Sequence, residues 1–566
     1  MQLFNQIKMN KIPITIGIVG HIDAIITKEH RLAFKSAFNM LSEQYLNSPI
    51  TLFSQLAVGA DTEVAKLFLE VKETTKTDYR LITPIPYDLD YYKKTQFKTE
   101  NELNTFNNLF KQSERSFVLN KLSDNVKRKL DKDIDENFDE LNEYYRKGGE
   151  FVADSSIVLI VLWDEKDNKL QGGSANVVTY KKTGSYQRFI SEHIFDSQGS
   201  LISIPCNRKG NSKPIVLKDD YLVILLKDLS IKKALDKIEE LNVSHSKIEP
   251  LSVEKSANYL FPEENRLSAS NETLKSFYAL IDSQANKHQI KYNRILKGLF
   301  ILGFIIFGVF EAYKHLGLHQ ALFFSTLALL AFAFGVFKIS FKWKNHKKYI
   351  ENRVLAESLR IQFFWNLSNI KKSVSKYILR IHKKEYDWLK HILLSIYGLT
   401  YPNENSNKES ISVVKKYWID NQKEYFIKKV KELERKEKQN KIISSITFGI
   451  GLILLIGVFV LNLKYEHHKW LHPLIVLDSI VFGVFALIKA YYEKRGHDQT
   501  KTQYSLMASI YKASSNKINE IDLLNKENES EEIDNILFLT GKEAVVENGN
   551  WYMIYKDKEP EIEGIG

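Results

Sequence analysis

Hydrophobic and polar positions along this chain fall into three regimes. In the first, short apolar runs at 12–20, 51–56, 80–86, 156–163 and 201–205 are separated by longer polar stretches. Runs of that length bounded by glycine, proline and aspartate predict buried strands. Helical spacing between them predicts helices at 27–45, 62–71 and 177–182, with a polar, largely helical stretch at 98–150. Strands alternating with helices, with few hairpin signals, predict an α/β domain with a parallel, doubly wound sheet. The second regime, 211–262, holds one more strand candidate at 221–226 and a helix at 232–241, and Pro250 and Pro262 bracket an expected linker at 251–267.

The third regime is long and apolar. Runs at 299–310, 318–337 and 442–463 carry almost no charge, and a fourth at 470–487 is interrupted only by Asp478. A helix spans a bilayer with roughly 20 apolar residues. The second and third runs meet that directly. The first needs its edges, with Lys297 and Glu311 snorkelling to the headgroups. The fourth requires Asp478 to face protein or water, either lining a pore or bonding a neighbouring helix. The four runs form two hairpins, at about 296–313 with 318–338 and 442–463 with 470–489. Gly-Val-Phe recurs within them, at 308–310 and 457–459 and again at 335–337 and 483–485, with offsets of 149 and 148 positions. Matching offsets favour duplication of a two-helix unit over coincidence among Phe-rich segments.

Charge orients the hairpins. Lys314, Lys464 and Lys469 mark the tips, whereas Lys338, Lys342, Lys344, Lys347 and Lys348 follow the first hairpin and Arg435, Lys436, Lys438 and Lys441 precede the second. The positive-inside rule then places both termini and the central segment in the cytoplasm. The net charge of +11 is largely spent beside the spans, where it serves topology and contact with anionic lipid. No separate basic patch with interleaved aromatics indicates a nucleic-acid partner. One cysteine, Cys206, excludes an intrachain disulfide framework, and residues 1–11 are too polar for a secretory signal core.

Ligands of open α/β sheets bind outside the carboxyl ends of the strands. Four loops fall there: 20–23, 57–61, 84–87 and 172–176. Gly172-Gly173-Ser174, opening a helix, is the best phosphate cradle, because glycines let the backbone approach and a helix N-terminus favours an anion. A paired glycine also makes ordinary turns, and His21 with Asp23 fits equally a site or a structural turn. No residue set defines a catalytic centre, a metal site or a resident cofactor.

In order, Gly17-Ile-Val-Gly-His21 with Asp23, Gln55-Leu-Ala-Val-Gly-Ala-Asp61, Leu81-Ile-Thr-Pro-Ile-Pro86, Gly148-Gly-Glu-Phe-Val-Ala-Asp154, a strand ending Trp163-Asp164, and Gly172-Gly-Ser-Ala-Asn176 resemble the SLOG superfamily. This Rossmann-like group includes DNA-processing proteins and cytokinin-activating hydrolases. The resemblance covers 12–210 and implies a domain, 1–250, that binds a nucleotide-derived signal. Gly20 and His21 would border the ligand, Gly59 and Asp61 would turn beneath it, and Gly172, Gly173 and Ser174 would hold phosphate. Arg208 would add a cation. Ile22 stands where many relatives carry arginine, and Ser-Ala-Asn-Val follows the Gly-Gly pair where the hydrolases have Gly-Thr and a nearby glutamate. Those departures argue against enzymatic hydrolysis.

Residues 268–555 resemble SLATT membrane domains, twice over, at 268–410 and 411–530, with a cytoplasmic tail at 531–566. The supporting segments are Arg353-Val-Leu-Ala-Glu-Ser-Leu-Arg360, Trp418 to Phe426, and Lys542 to Trp551. Together the resemblances imply a ligand-gated effector of prokaryotic antiviral defence in the bacterial inner membrane. Its signal would be a cyclic oligonucleotide or an ADP-ribose-type molecule, and its spans would associate or open a pore as a homo-oligomer. The alternative is a membrane-tethered hydrolase of a nucleotide or NAD-type substrate. A transporter would need more intramembrane ionisable groups than Asp478, and a DNA-binding role would need salt-sensitive DNA affinity.

Overall fold

A computed structural model describes residues 11–134, 139–164, 173–183, 200–209, 217–218, 220–228, 231–245, 248–262, 267–315, 319–378, 383–402, 408–465, 471–495, 497–524 and 529–556. The chain divides into two compact units, one of residues 1–281 with 357–410 and one of 282–356 with 411–566.

The first unit is built on a six-stranded sheet. Its strands are β1 (Ile14–Gly20), β3 (Ile50–Phe53), β4 (Tyr79–Ile85), β5 (Arg115–Val118), β6 (Val158–Trp163) and β7 (Ser200–Pro205), in the order β5-β4-β3-β1-β6-β7. Every pairing in it is parallel. Two-residue strands β2 (Ala24–Ile25) and β8 (Asn207–Arg208) form a separate antiparallel ribbon. The central strands are apolar throughout, as strands covered on both faces must be: Ile14, Ile16 and Ile18 of β1 and Val158 to Leu162 of β6 are buried. The chain runs outward from β1 through β3, β4 and β5, then returns to β6 on its other side. That reversal makes the β1/β6 boundary the topological switch point.

Three local expectations change. β5 lies within the stretch read as polar and largely helical. Four residues with one buried side chain, Phe117, give too short an alternation to register beside strong helical neighbours. Residues 221–226, read as a strand, belong to the helix Tyr221–Asp228, in which Leu222 and Leu226 are buried and Ile224 is exposed. A short apolar run does not separate helix from strand by period. Thr27 and His30, which did not fit the usual capping-box pair, form one: Thr27 Oγ1 accepts the His30 N–H, and His30 Nδ1 accepts the Thr27 N–H at 3.2 Å, taking the place of a glutamate.

The stretch read as a linker contains the helix Pro250–Leu260, whose Val253 and Ala257 pack on Ala279 and Leu280. Residues 357–410, which follow the first hairpin in sequence, share the α/β core. Tyr397 and Tyr401 cluster with Phe53, Phe117 and Phe151, and Tyr401 stacks on Phe117 at 5.4 Å between ring centroids. A side chain at Gly398 would overlap Ser155 and Phe53. Ser395 Oγ donates to Pro13 O at 2.5 Å, and the Arg115 guanidinium donates to the carbonyls of Leu399 and Tyr401. Burial lowers the pKa of Arg115 to about 10.

The second unit is all-helical and carries the four helices long and apolar enough to cross a membrane. The helices Ala269–His315, His319–Trp343 and Asn345–Leu367 are followed, after the segment in the first unit, by Asn421–Tyr465, His472–Arg495 and His497–Leu524. Each triplet is one long helix, one hairpin partner and one returning helix. A π-helical turn, Lys415–Asp420, leads into Asn421–Tyr465. Within this unit Arg353 pairs with Asp282 at 2.8 Å, His288 with Asn345 at 3.0 Å and Gln289 with Tyr349 at 2.9 Å.

Candidate functional site

The site begins with how β1 ends. At Gly20 any side chain would collide with Ala60, and its Cβ would stand 2.8 Å from Leu162 O, so the helix Ala60–Thr74 abuts the strand end directly. His21 N–H donates to Leu162 O at 3.1 Å, and His21 O accepts the first helical N–H, from Ala60, at 3.2 Å. Gly59 sits at φ +91°, and its Cβ would stand 2.5 Å from His21 O. Only glycine meets both constraints. Gly20 and Gly59 thus lock the loop after β1 onto the loop after β3.

His21 reaches across the switch point. Its Nε2 lies 3.0 Å from Asp164 Oδ1 and 3.2 Å from the Asp164 backbone N–H, just past the end of β6. With its proton on Nδ1 the ring accepts the amide; with a proton on Nε2 it donates to the carboxylate. The pair is mostly shielded from solvent, at 12% and 15% side-chain exposure. Asp23 does not join it. Asp23 instead receives Arg208 Nε at 2.9 and 3.0 Å, and its carbonyl accepts the Lys209 N–H, across the β2–β8 ribbon. The hydrogen bond to Asp23 raises the Arg208 pKa. Arg208 therefore stands at the strand edge already engaged by a carboxylate.

Asp61 is buried in the first turn of the helix Ala60–Thr74. Burial pushes its pKa up to about 7, against the opposing hydrogen bonds from the Gln55 backbone and from Ser54. It braces the loop after β3 from below. Gly173 O accepts the N–H groups of Asn176 and Val177, which starts the helix Ser174–Thr183 with Ser174 buried. Gly172 lies outside the described residues.

Sequence reasoning singled out His21 but not its partner: Asp164 was only the residue that closes a strand. It also missed what surrounds the Gly148-Gly149 pair. A side chain on Gly148 would strike the Gln55 amide, and one on Gly149 would strike Val177. The helix Asp139–Asp154 therefore holds the loop after β3 against the helix Ser174–Thr183. Gln55 Nε2 and Asn176 Oδ1 are buried beside this contact with no hydrogen-bond partner among the described residues, although each such group costs about 1–3 kcal/mol. Past β4, the Tyr87 and Tyr145 hydroxyls meet, with Thr95 2.7 Å from Tyr87 and Gln96 2.6 Å from Tyr145. Burial pushes the Tyr87 pKa far upward.

The arrangement offers a helix N-terminus for an anion, a histidine able to accept or donate at the switch point, and unspent amide groups beside it. Among the described residues no group of three or more His, Cys, Asp or Glu is placed to hold a metal. In the membrane region, Asp478 is buried within the helix His472–Arg495, and its Oδ1 has no partner among the described residues. No family model and no curated protein matches the chain.

Proposed function

We propose that this chain is a ligand-gated effector of prokaryotic defence, multi-pass in the bacterial inner membrane with both termini cytoplasmic. Its α/β unit reads a nucleotide-derived signal, of the cyclic oligonucleotide or ADP-ribose type, in the manner of SLOG domains. Its paired SLATT-like hairpins respond by associating or opening a pore. The observation that carries this reading is the meeting of His21 and Asp164 at the switch point, close to a helix N-terminus, in a chain that also has four apolar helices. Phosphate would take the N–H groups of the turn at Gly173 and Ser174. A ligand gates only through different affinities for two states, so signal binding must favour one arrangement of the helices Ala269–His315 and Asn345–Leu367, each of which has residues in both compact units.

The test uses the full chain in lipid nanodiscs with cyclic dinucleotides and trinucleotides, ADP-ribose and NAD, read by native mass spectrometry. Retention of one unaltered nucleotide, lost in Gly173→Asp with the fold intact, is the expected result. Unchanged binding in that variant removes the Gly173 turn from the site. The His21–Asp164 pair favours a second reading, a tethered hydrolase, because a histidine poised between two protonation states is a general-base candidate. Released product, lost in His21→Ala, would replace the sensor by that enzyme.

A further inference from the structure

The helix Ser174–Thr183 has its first turn at the candidate site and its last turn in a buried ion-pair cluster. Ten residues of α-helix make a rod of about 15 Å. At the far end Tyr180 Oη donates to Asp154, 2.9 Å from each carboxylate oxygen. Lys376 Nζ stands 2.5 Å from Asp154 Oδ2 and donates to Tyr180 Oη at 2.9 Å. Beside them Lys181, fully buried, donates to the carbonyls of Ala153 and Ser156 at 2.5 and 2.8 Å. Burial alone would lower the Lys376 pKa, but Asp154 and Tyr180 reverse the effect and hold it well above its ordinary value. Burial brings Lys181 down to about 7.

Lys376 belongs to the 3-10 turn Val374–Tyr377. That turn is tied to Gln362, whose Oε1 accepts the Val374 N–H at 2.9 Å and whose Nε2 donates to Lys372 O at 3.1 Å. Gln362 lies on the helix Asn345–Leu367, the one that returns from the first hairpin. Side-chain bonds therefore run without a break from the candidate phosphate turn, along a rigid rod, to that helix.

We propose that Asp154, Tyr180 and Lys376 form the joint through which occupancy of the Gly173–Ser174 turn is passed to the helix Asn345–Leu367. The inference rests on the sensor reading above and specifies its route. A shift of the rod at its first turn displaces Tyr180 against Lys376. The cluster is buried and close-packed, so it passes displacement on rather than absorbing it. By linkage the joint must also act backwards, altering the turn when the joint is cut. These three are positioning residues, since none of them borders the ligand.

Two arms test it in the full chain in nanodiscs. The first needs no ligand. Hydrogen exchange of amides 174–178 is compared among wild type, Lys376→Met, Lys376→Arg and the milder Tyr180→Phe. At least tenfold faster exchange in the Met and Phe variants, restored by Arg, with exchange in β1 and β6 unchanged, is expected. Unchanged exchange at 174–178 overturns the joint. The second arm uses ADP-ribose. At least fivefold altered affinity in Tyr180→Phe supports the joint, and equal affinity overturns it. Absence of ADP-ribose binding to wild type counts against the sensor reading for that ligand, while the first arm still decides the joint.

Discussion

The two hairpin units have the same parts and different surroundings. Each has a long helix of 47 or 45 residues, a partner of 25 or 24 and a returning helix. In the second unit the return helix His497–Leu524 packs on Asn421–Tyr465 and on Glu529–Lys556, all within one compact body. There Ser515 bonds Asp420, Phe426 stacks on Tyr511, and Ser514 meets Thr540. In the first unit the return helix instead leads into residues 357–410, which complete the α/β core. Their glycines differ in the same sense. Gly451 lies against Phe482 and Gly483 against Phe307, whereas Gly335 and Gly457 meet nothing within 4 Å. Duplicated helices have thus taken separate roles, the second copy holding the bundle and the first joined to the domain that reads the candidate site.

The largest effect should come from breaking the attachment of the first copy. Tyr401→Ala removes a ring packed on Phe117 and Phe151. It should destabilise the α/β unit by about 3–5 kcal/mol, in line with other buried aromatic truncations. Denaturant unfolding in detergent measures it, and a loss below 1 kcal/mol would mean that 357–410 is not part of that core. Next comes a pH effect confined to the same attachment. Lys181 has its folded-state pKa lowered from 10.5 to about 7. Between those values the unfolded chain binds a proton that the folded chain does not, so stability rises with pH and falls as pH drops toward 7. From pH 7 to 8.5 wild type should gain about 2 kcal/mol, and Lys181→Met should show no such slope. A slope retained in that variant would assign it to another group. The smallest effect separates the copies within the membrane. Gly483→Ala presses on the Phe307 ring and Gly335→Ala enters open space, so the first should be the less stable by about 1 kcal/mol. Equal thermal stability of the two variants in detergent would show that their packing does not differ.

Much of this architecture is legible in the sequence because it rests on period and composition. The parallel sheet follows from apolar runs such as 156–163, and the spans follow from their length. Gly20 and Gly59 were legible as turn glycines, since the backbone demands them locally. What stayed hidden depends on chain-distant partners. Nothing in Trp163-Asp164 announces that Asp164 would meet His21, 143 positions away. Asp23 looked like the natural partner of His21 by proximity, yet the β2–β8 ribbon gives it to Arg208. Tyr397 and Tyr401 read as ordinary aromatics of a helical segment, because a core position is defined by the strands it covers.

The attachment of 357–410 also orders how the protein is made. Synthesis runs from the N-terminus and domains fold as units as they emerge. Here the aromatic core waits for Tyr397 and Tyr401, which emerge only after residues 299–343 have left the ribosome. Membrane insertion of the first hairpin therefore precedes completion of the domain before it. A chain stalled between the hairpins and short of residue 397 would hold an unfinished domain beside the bilayer, with Phe117 and Phe151 uncovered. The signal-reading half would mature only in chains already anchored, which keeps an unanchored sensor from ever becoming competent.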